Sequence, residues 1–288
     1  MNSRIYIIGS EGYIGSMLQQ MIPKDQLVRI GRPGGDYANE VITSLPKRVP
    51  QNSTCFLLAA LAGEKGCEKN KKLACETNVE LVRKICDLNF KKIIFTSTSS
   101  VYGSSDNYAT EESDVFVSSY YTETKLEGEE IVLSSKENNI VARLAIVIGV
   151  SPKTDWTQLA NNLVKSALDG SKIDIYGASS YRPYFDVYDV AKGLILLNDT
   201  TYFNAQIVNV GNTSLNKSKL DLIRELQKLI PNVNYSITSE FDKRNYKVSF
   251  KKFERTYNAS ISLKETFINL INKYNADKKI KEVITWKY

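Results

Sequence analysis

The chain has 288 residues, of which 42% are hydrophobic and 24% charged, a composition typical of a soluble globular protein with a large buried core. It contains no histidine, which excludes Ser-His-Asp, Cys-His and His-metal chemistry, and its four cysteines lack the C-x-x-C spacing of zinc sites. The formal charge of +6 is scattered along the chain without a dense basic block, so no nucleic-acid partner is predicted.

The apolar runs are too short to cross a bilayer. The longest, at residues 55–63 and 141–150, span about ten residues, against the roughly 20 that a transmembrane helix needs. The amino terminus enters strand-like sequence directly and lacks the apolar core of a signal peptide. We therefore expect a cytoplasmic protein without a membrane span.

Strand-like and helix-like segments alternate along the first half of the chain. Short β-branched runs predict strands, and apolar residues three and four apart predict helices. In chain order we predict strand 5–8, a glycine turn with a helix after residue 15, strands 27–30 and 55–62, helix 76–89, strand 92–96, helix 121–134 and strand 139–148. This alternation predicts an α/β fold, a Rossmann-type doubly wound parallel sheet covered by helices on both faces.

The regular alternation weakens after about residue 151. The patterns there predict helices 158–168 and 190–197, strand 205–211, and amphipathic helices 217–230 and 262–274. We assign residues 1–150 to a Rossmann domain, to which residues 188–212 return. Residues 151–187 and 213–288 then form a smaller C-terminal substrate-binding region.

A glycine turn follows the first predicted strand. In the sequence IYIIGSEGYIG, Gly9, Gly12 and Gly15 are three residues apart and lie between a strand and a helix. Glycine permits a tight turn and lets backbone N–H groups approach a phosphate, while the helix N-terminus favours negative charge. The pattern indicates a dinucleotide site, and a tight turn without a ligand is the alternative.

The residues after the second strand bear on which dinucleotide binds. An acidic residue there accepts the ribose 2′-hydroxyl of NAD, whereas an arginine faces the 2′-phosphate of NADP. The sequence LVRIGRPGGD has no acid at the strand end and places Arg32 just beyond it. We therefore expect NADP(H) to be preferred, with NAD(H) as the alternative. A solvated loop position for Arg32 and a contribution from Asp36 both stay open.

The stretch SSYYTETK contains the best acid–base candidate. Residues four apart share one face of a helix, so Tyr121 points with Lys125 while Tyr120 is turned about 100° away. A nearby ammonium favours the phenolate and lowers the pKa of a tyrosine, so that it can exchange a proton with an alcohol oxygen. Tyr121 is therefore predicted to transfer protons, and Tyr120 to pack or to line the pocket.

Further motifs follow these in a recognisable order. They are FLLAALAG at 56–63, STSSVYG at 97–103, RPYFDVYDVA at 182–191 and NVG at 209–211. With the glycine turn and the Y-x-x-x-K pair, nearly the whole chain resembles the extended short-chain dehydrogenases/reductases, in the nucleotide-sugar epimerase/dehydratase group.

The resemblance implies roles for individual residues. Thr98, Tyr121 and Lys125 correspond to the catalytic group, in which the threonine binds the reacting oxygen and the lysine also holds the nicotinamide ribose. Cofactor contacts are implied for Gly9, Gly12, Tyr13, Ile14, Gly15, Leu58, Ala59, Ala60, Asn78, Thr96, Tyr121 and Lys125. Substrate contacts are implied for Thr98, Tyr102 and Arg182, the last at the nucleotide diphosphate. A helix-start role without cofactor contact is as good a reading of Asn78.

Departures from the family pattern narrow the chemistry. Ser99 and Ser100 stand where 4,6-dehydratases carry Asp and Glu, so dehydration is not expected. Ile146, Pro183 and Tyr188 also replace family residues on the substrate side, so the identity of the sugar cannot be carried over.

Two reactions share the Tyr, Lys and Thr group. We expect an NADPH-dependent reductase of a nucleotide-activated keto-sugar, because Arg32 follows a strand without a terminal acid. The alternative is an NAD-dependent nucleotide-sugar 4-epimerase. A non-catalytic dinucleotide-binding regulator is a third hypothesis, which the intact catalytic residues disfavour. The resemblance also implies a homodimer formed through two helices, for which 76–89 and 121–134 are the candidates.

Overall fold

The computed structural model describes residues 3–31, 42, 44–199, 203, 207–239, 242 and 244–285, with the side chains of the last helix described to residue 279. Strands β1 to β13 are Ile5–Ile8, Leu27–Ile30, Thr54–Leu57, Lys92–Thr98, Tyr108–Ala109, Ile140–Leu144, Ile146–Ile148, Ile173–Ile175, Tyr181–Asp186, Ile207–Val210, Asn216–Ser218, Tyr235–Ile237 and Lys247–Val248. Helices α1 to α10 are Tyr13–Leu18, Glu64–Lys69, Lys71–Cys75, Leu81–Cys86, Tyr120–Ser135, Leu159–Leu168, Val187–Asn198, Lys219–Gln227, Lys251–Glu254 and Leu263–Thr285. A π-helical turn, Glu76–Glu80, joins α3 to α4.

A parallel sheet forms the centre of the described structure. Its six strands lie in the order β10-β6-β4-β3-β1-β2, and each neighbouring pair is parallel. The chain moves outward from β1 to β2 and then returns to β3 on the other side of β1. In open α/β sheets, ligands bind outside the carboxyl ends of the strands at such a reversal. The topology therefore predicts a ligand site at the edge formed by the carboxyl ends of β1, β3 and β4.

Hydrophobic residues cover both faces of this sheet. Ile7 and Phe56 belong to one buried cluster, while Ile8 and Leu57 belong to another on the opposite face. Side chains alternate between faces along a strand, so the continuous apolar runs of β1 and β3 supply both clusters. The predicted Rossmann-type α/β fold is confirmed.

A third hydrophobic cluster lies in the C-terminal layer. It joins residues of β7 to β9 with α6, α8 and α10, and its largest members include Tyr184 and Phe267. In the described part of the chain, no helix is long and apolar enough to cross a membrane. The assignment of substrate binding to this layer stays a prediction.

Several predicted elements differ from the observed ones. The expected strand 139–148 is two strands, because β6 pairs with β4 and β10 whereas β7 leaves the central sheet and pairs with β9. The expected helix 76–89 is preceded by helical residues from Glu64 onward, a polar stretch without a clear apolar period. Strands 5–8 and 27–30 occur as predicted.

A buried carboxylate attaches the C-terminal segment to α7. Asp189 accepts hydrogen bonds from the Tyr257 hydroxyl at 2.7 Å and from the backbone N–H groups of Ser260 and Ile261 at 2.9 Å each. This carboxylate thereby holds the chain that enters α10.

Asp189→Ala should destabilise the fold, because three hydrogen-bond donors lose their buried acceptor. We expect the free energy of unfolding to fall by about 2–4 kcal/mol, measured by urea denaturation. Asp87→Ala, at an exposed position after α4, is the control and should change it by no more than about 0.5 kcal/mol. Equal stability of the two variants would refute the anchoring role.

Candidate active site

The glycine turn lies at the carboxyl end of β1, beside the end of β3. Gly9 has φ of 94°, in the region that favours glycine, and its N–H donates to the Ile30 carbonyl at 2.7 Å. A Cβ on Gly15 would lie 2.2 Å from the Gly9 carbonyl oxygen, and one on Gly9 would lie 2.8 Å from the Ala59 backbone nitrogen. Only glycine fits at these two positions. This cradle suits the close approach of a dinucleotide pyrophosphate.

Neighbours of the turn hold its shape. The Tyr13 hydroxyl donates to the Gly149 carbonyl at 2.6 Å and accepts from the Asn161 amide at 3.2 Å, and burial raises the pKa of this tyrosine. The N–H groups of Leu58 and Ala59 both donate to the Ile8 carbonyl at 2.9 Å. Contacts of these residues with a cofactor stay predictions, as do those of Ile14 and Ala60.

The helix that carries the tyrosine begins at a capping box. The Ser119 hydroxyl accepts from the Thr122 backbone N–H, while the Thr122 hydroxyl accepts from the Ser119 N–H at 2.9 Å. This reciprocal pair starts α5 at Tyr120 and places Tyr121 in the first turn. The polar run before the helix is therefore its start signal.

Lys125 lies in the interior between α5 and β4. Its ammonium donates to the Thr96 carbonyl at 2.6 Å and lies 4.0 Å from the centroid of the Phe95 ring, and the residue is 2% exposed. Burial lowers the pKa of Lys125 to about 7, although the charges of Glu129 and Cys67 oppose that change. The Lys125 side chain therefore gains or loses its proton near neutral pH.

The structure brings Tyr121 to Thr98, at the carboxyl end of β4. Their side chains are hydrogen-bonded, and the Thr98 hydroxyl also lies 2.9 Å from the Ser100 hydroxyl. The sequence predicts a lowered pKa for Tyr121, whereas the structure has it raised, because burial outweighs the hydrogen bond from Thr98. The phenol is therefore neutral at physiological pH, the form that donates a proton.

Asn78 links the end of β3 to the catalytic helix. It lies in the π-helical turn, fully buried, where its side-chain oxygen accepts from the Leu61 N–H at 2.8 Å. Its side-chain nitrogen donates to the Leu61 carbonyl at 3.1 Å and to the Thr124 hydroxyl at 3.0 Å. Asn78 thus positions the residue beside Lys125, and its predicted cofactor contact stays a prediction.

Two predicted substrate residues are engaged inside the protein. Tyr102 is 2% exposed, and its hydroxyl donates to Asn209 at 2.7 Å. Arg182 is 7% exposed and pairs closely with Asp242, which also binds Lys219 at 2.8 Å. In this arrangement the Tyr102 hydroxyl proton and Nη2 of Arg182 are already engaged within the protein. To bind a diphosphate, Arg182 would have to contact both the diphosphate and Asp242.

Other residues near Tyr121 were not identified from the sequence. The charges of Cys67, Glu64 and Tyr246 all act on the phenol. Tyr184 lies near Tyr246 and is fully buried, and its hydroxyl has no hydrogen-bond partner within the described part of the chain. These residues come from α2, β9 and the segment before β13. No local pattern relates them to Tyr121, so only the fold could identify them.

The predicted NADP preference rests on residues that follow β2. Arg32 and Asp36 lie outside the described residues. The end of β2 is otherwise as expected, since Gly31 follows Ile30 directly.

Comparisons with known proteins agree with the fold and the motifs. The model of the NAD dependent epimerase/dehydratase family matches residues 5–211. A UDP-N-acetyl-alpha-D-glucosaminuronate decarboxylase from Bacillus cytotoxicus is 23% identical in an alignment 283 positions long. The match covers 84% of this chain and 85% of that protein.

Solved structures show the same architecture. UDP-glucuronic acid 4-epimerase from Bacillus cereus, in complex with UDP-glucuronic acid and NAD, has a TM-score of 0.76 at 19% identity and covers 93% of this chain and 98% of its own. RMD from Pseudomonas aeruginosa, complexed with NADPH, has a TM-score of 0.76 at 16% identity and covers 96% and 100%. At these identities the likeness establishes the fold alone.

Gly15→Ala should disrupt the turn, because the new methyl group would overlap the Gly9 carbonyl oxygen. We expect a loss of at least about 2 kcal/mol in the free energy of unfolding, measured by chemical denaturation. Gly66→Ala is a matched control, since a Cβ there meets nothing within 4 Å and alanine favours the helix. A Gly15→Ala protein as stable as this control would contradict the closed geometry.

Proposed function

The chain belongs to the NAD dependent epimerase/dehydratase family, and from this premise we propose that it is an NAD-dependent 4-epimerase of a nucleotide-activated sugar. The observation that carries the proposal is that Tyr121 meets Thr98 at the carboxyl end of β4, while Lys125, one turn later on the same helix, is held at Thr96 of the same strand. The chain has no histidine, so Tyr121 is the group best placed to exchange a proton with a sugar hydroxyl.

The proposed reaction moves one proton and one hydride in each direction. A dinucleotide held at the glycine turn would supply the acceptor for the C4 hydride and the source from which the hydride returns to the opposite face of the ring. Tyr121 takes the proton of the 4-hydroxyl as the ketone forms, and gives it back as the ketone is reduced. Thr98 binds the same oxygen and fixes its distance from the phenol. The sugar is neither oxidised nor reduced overall.

Lys125 makes the phenol usable as a base. The phenol holds its proton because desolvation in the site disfavours the phenolate, so a nearby positive charge is needed before the phenolate can form. The Lys125 ammonium is one turn away on the same face of α5 and is held at Thr96. From this position its positive charge, one helical turn from the phenol, favours the phenolate.

The epimerase is better supported than the NADPH-dependent ketoreductase expected from the sequence. That expectation rested on Arg32, which the described residues do not include, while the family is named for its dependence on NAD. Ser99 and Ser100 follow Thr98 and provide no carboxylate for elimination of water. These observations favour NAD(H) and a reaction without elimination of water.

A homodimer stays part of the proposal. The outward side chains of α5 include the acidic residues Glu123, Glu127 and Glu130, whereas those of α4 include Arg83 and Lys84. Arg83 pairs with Glu127 within the chain at 2.9 Å. The exposed Glu123, Glu130 and Lys84 present opposite charges that suit an antiparallel contact between two copies. A dimer mass by light scattering that falls to the monomer mass at high salt is expected, and a monomer at every salt concentration would refute it.

A product assay tests the proposed reaction. The protein is incubated with NAD and, in turn, UDP-glucose, UDP-N-acetylglucosamine and UDP-glucuronic acid, and the sugars are identified by NMR. We expect one of them to be converted to its 4-epimer without net formation of NADH. Consumption of NADPH with a keto-sugar would establish the ketoreductase instead, and release of carbon dioxide from the glucuronic acid would establish a decarboxylase.

Tyr121→Phe should abolish proton transfer while keeping the ring. We expect kcat to fall by about 10²–10⁴-fold, as for loss of a general acid–base. Tyr120→Phe is the matched control, because its ring packs against Lys71, with the ammonium 5.1 Å from the ring centroid, and does not share a face with Lys125. Its kcat should stay within a few-fold of wild type, and equal losses in the two variants would contradict the assignment.

A further inference from the structure

The catalytic helix is attached to β4 at two consecutive residues. Lys125 donates to the Thr96 carbonyl at 2.6 Å, and one turn later Glu129 accepts a short hydrogen bond from the Ser97 hydroxyl. Both helix residues are almost fully buried, at 2% and 3% exposure. Their spacing of four puts ammonium and carboxylate on one face of α5, against the same strand.

A buried arginine holds the carboxylate of Glu129. Arg143 donates to it from Nη2 at 2.7 Å and from Nε at 3.1 and 3.2 Å. Arg143 lies on β6 directly opposite Ser97 of β4 in the strand register, and Asn209 of β10 lies opposite Arg143 on its other side. Three adjacent strands therefore present a polar row beneath the helix, and Glu129 is its acceptor.

Tyr102 closes this network. Its hydroxyl accepts from Arg143 Nη1 at 3.1 Å and donates to the Asn209 side chain at 2.7 Å. The residues that fix Glu129 are thus themselves fixed from the 3₁₀ turn Ser99–Tyr102 and from β10. A buried carboxylate with this many charge-assisted partners is held in one position.

Two ionisable groups act on the charge of Lys125. Glu129 is on its own helix, and the Cys67 thiol is on α2. Tyr121 lies one turn earlier on α5, and the contacts of Lys125 with β4 are to the uncharged Phe95 ring and Thr96 carbonyl. Burial disfavours the ammonium, and Glu129 gives the larger of the two effects that oppose burial. Glu129 is therefore the principal group that keeps this buried lysine charged.

We propose that Glu129 is a positioning residue of the reaction, which holds Lys125 as an ammonium against Thr96 and so keeps its positive charge available to Tyr121. The catalytic consequence rests on the proposed function, whereas the effect on the charge of Lys125 does not. The carboxylate acts through the lysine and touches neither the sugar nor the cofactor. Arg143, Ser97 and Tyr102 keep it in place.

Glu129→Gln tests the charge directly, since the amide keeps the shape of the side chain. Lysine labelled with carbon-13 at Cε is titrated by NMR, and the Lys125 signal is assigned by its absence from Lys125→Arg. We expect the wild-type pKa of Lys125 to be about 7 and that of the variant to be lower by about one pH unit or more. Glu130→Gln, an exposed position on the same helix, should leave the titration unchanged.

A second variant covers the risk that Glu129→Gln leaves Arg143 unpaired in the interior and fails to fold. Glu129→Gln combined with Arg143→Met removes both charges, which buried pairs tolerate better than the loss of one partner. The pKa of Lys125 should again lie below the wild-type value. If it matches wild type in whichever of these variants folds, the proposal is overturned.

The pH profile of activity separates positioning from simple structural support. The ammonium is lost as pH rises through the pKa of Lys125, so a lower pKa moves the alkaline limit of kcat/KM to lower pH. Glu129→Gln should be impaired most at alkaline pH and recover toward wild type at acid pH, and Glu129→Asp should restore the limit. A loss of equal size at every pH would overturn the catalytic consequence. A titration shift without measurable epimerase activity would refute the proposed function and leave the effect on Lys125 standing.

Discussion

The contact between Lys125 and the carbonyl oxygen of Thr96 ties the catalytic helix to the centre of the parallel sheet. Since β4 ends at Thr98, two residues further along, the same attachment sets the height of the helix relative to the strand end. Tyr121, one turn before Lys125, then meets the Thr98 hydroxyl. The register of α5 on β4 therefore determines whether an acid–base group exists at all.

The electrostatics of this contact explain why the site needs its surroundings. A chain without histidine has no side chain that titrates near neutral pH without help from its environment. Here burial brings the pKa of Lys125 down to about 7 and raises that of Tyr121. Lys125 can therefore change its charge near neutral pH, while Tyr121 stays protonated until it exchanges its proton with an alcohol. The negative charge of Glu129 limits how far the pKa of Lys125 falls.

Much of the central fold follows from local pattern. Continuous β-branched runs specify β1 and β2, and the glycine spacing specifies the turn. The spacing of four residues to Lys125 distinguishes Tyr121 from its neighbour Tyr120. Each of these features depends on residues close together in the chain, where steric and helical periodicity dominate. The pairing of Tyr121 with Lys125 on one face was predictable for the same reason.

Long-range contacts account for what sequence could not supply. Asp242 forms an ion pair with Arg182, which lies 60 residues earlier in the chain. Asn209 accepts a hydrogen bond from Tyr102, which lies 107 residues earlier. The raised pKa of Tyr121 depends on its depth in the folded protein, which no local spacing encodes. The π-helical turn that directs Asn78 to Leu61 and Thr124 likewise becomes visible only in three dimensions.

The fate of the hydrogen at C4 tests the central claim most directly. A substrate that carries deuterium at C4 is converted with unlabelled NAD, and the 4-epimer is analysed by mass spectrometry. The account predicts that the product keeps its deuterium, because the hydride leaves and returns within one site while Tyr121 moves only the hydroxyl proton. Loss of the deuterium to the cofactor pool or to solvent would contradict it.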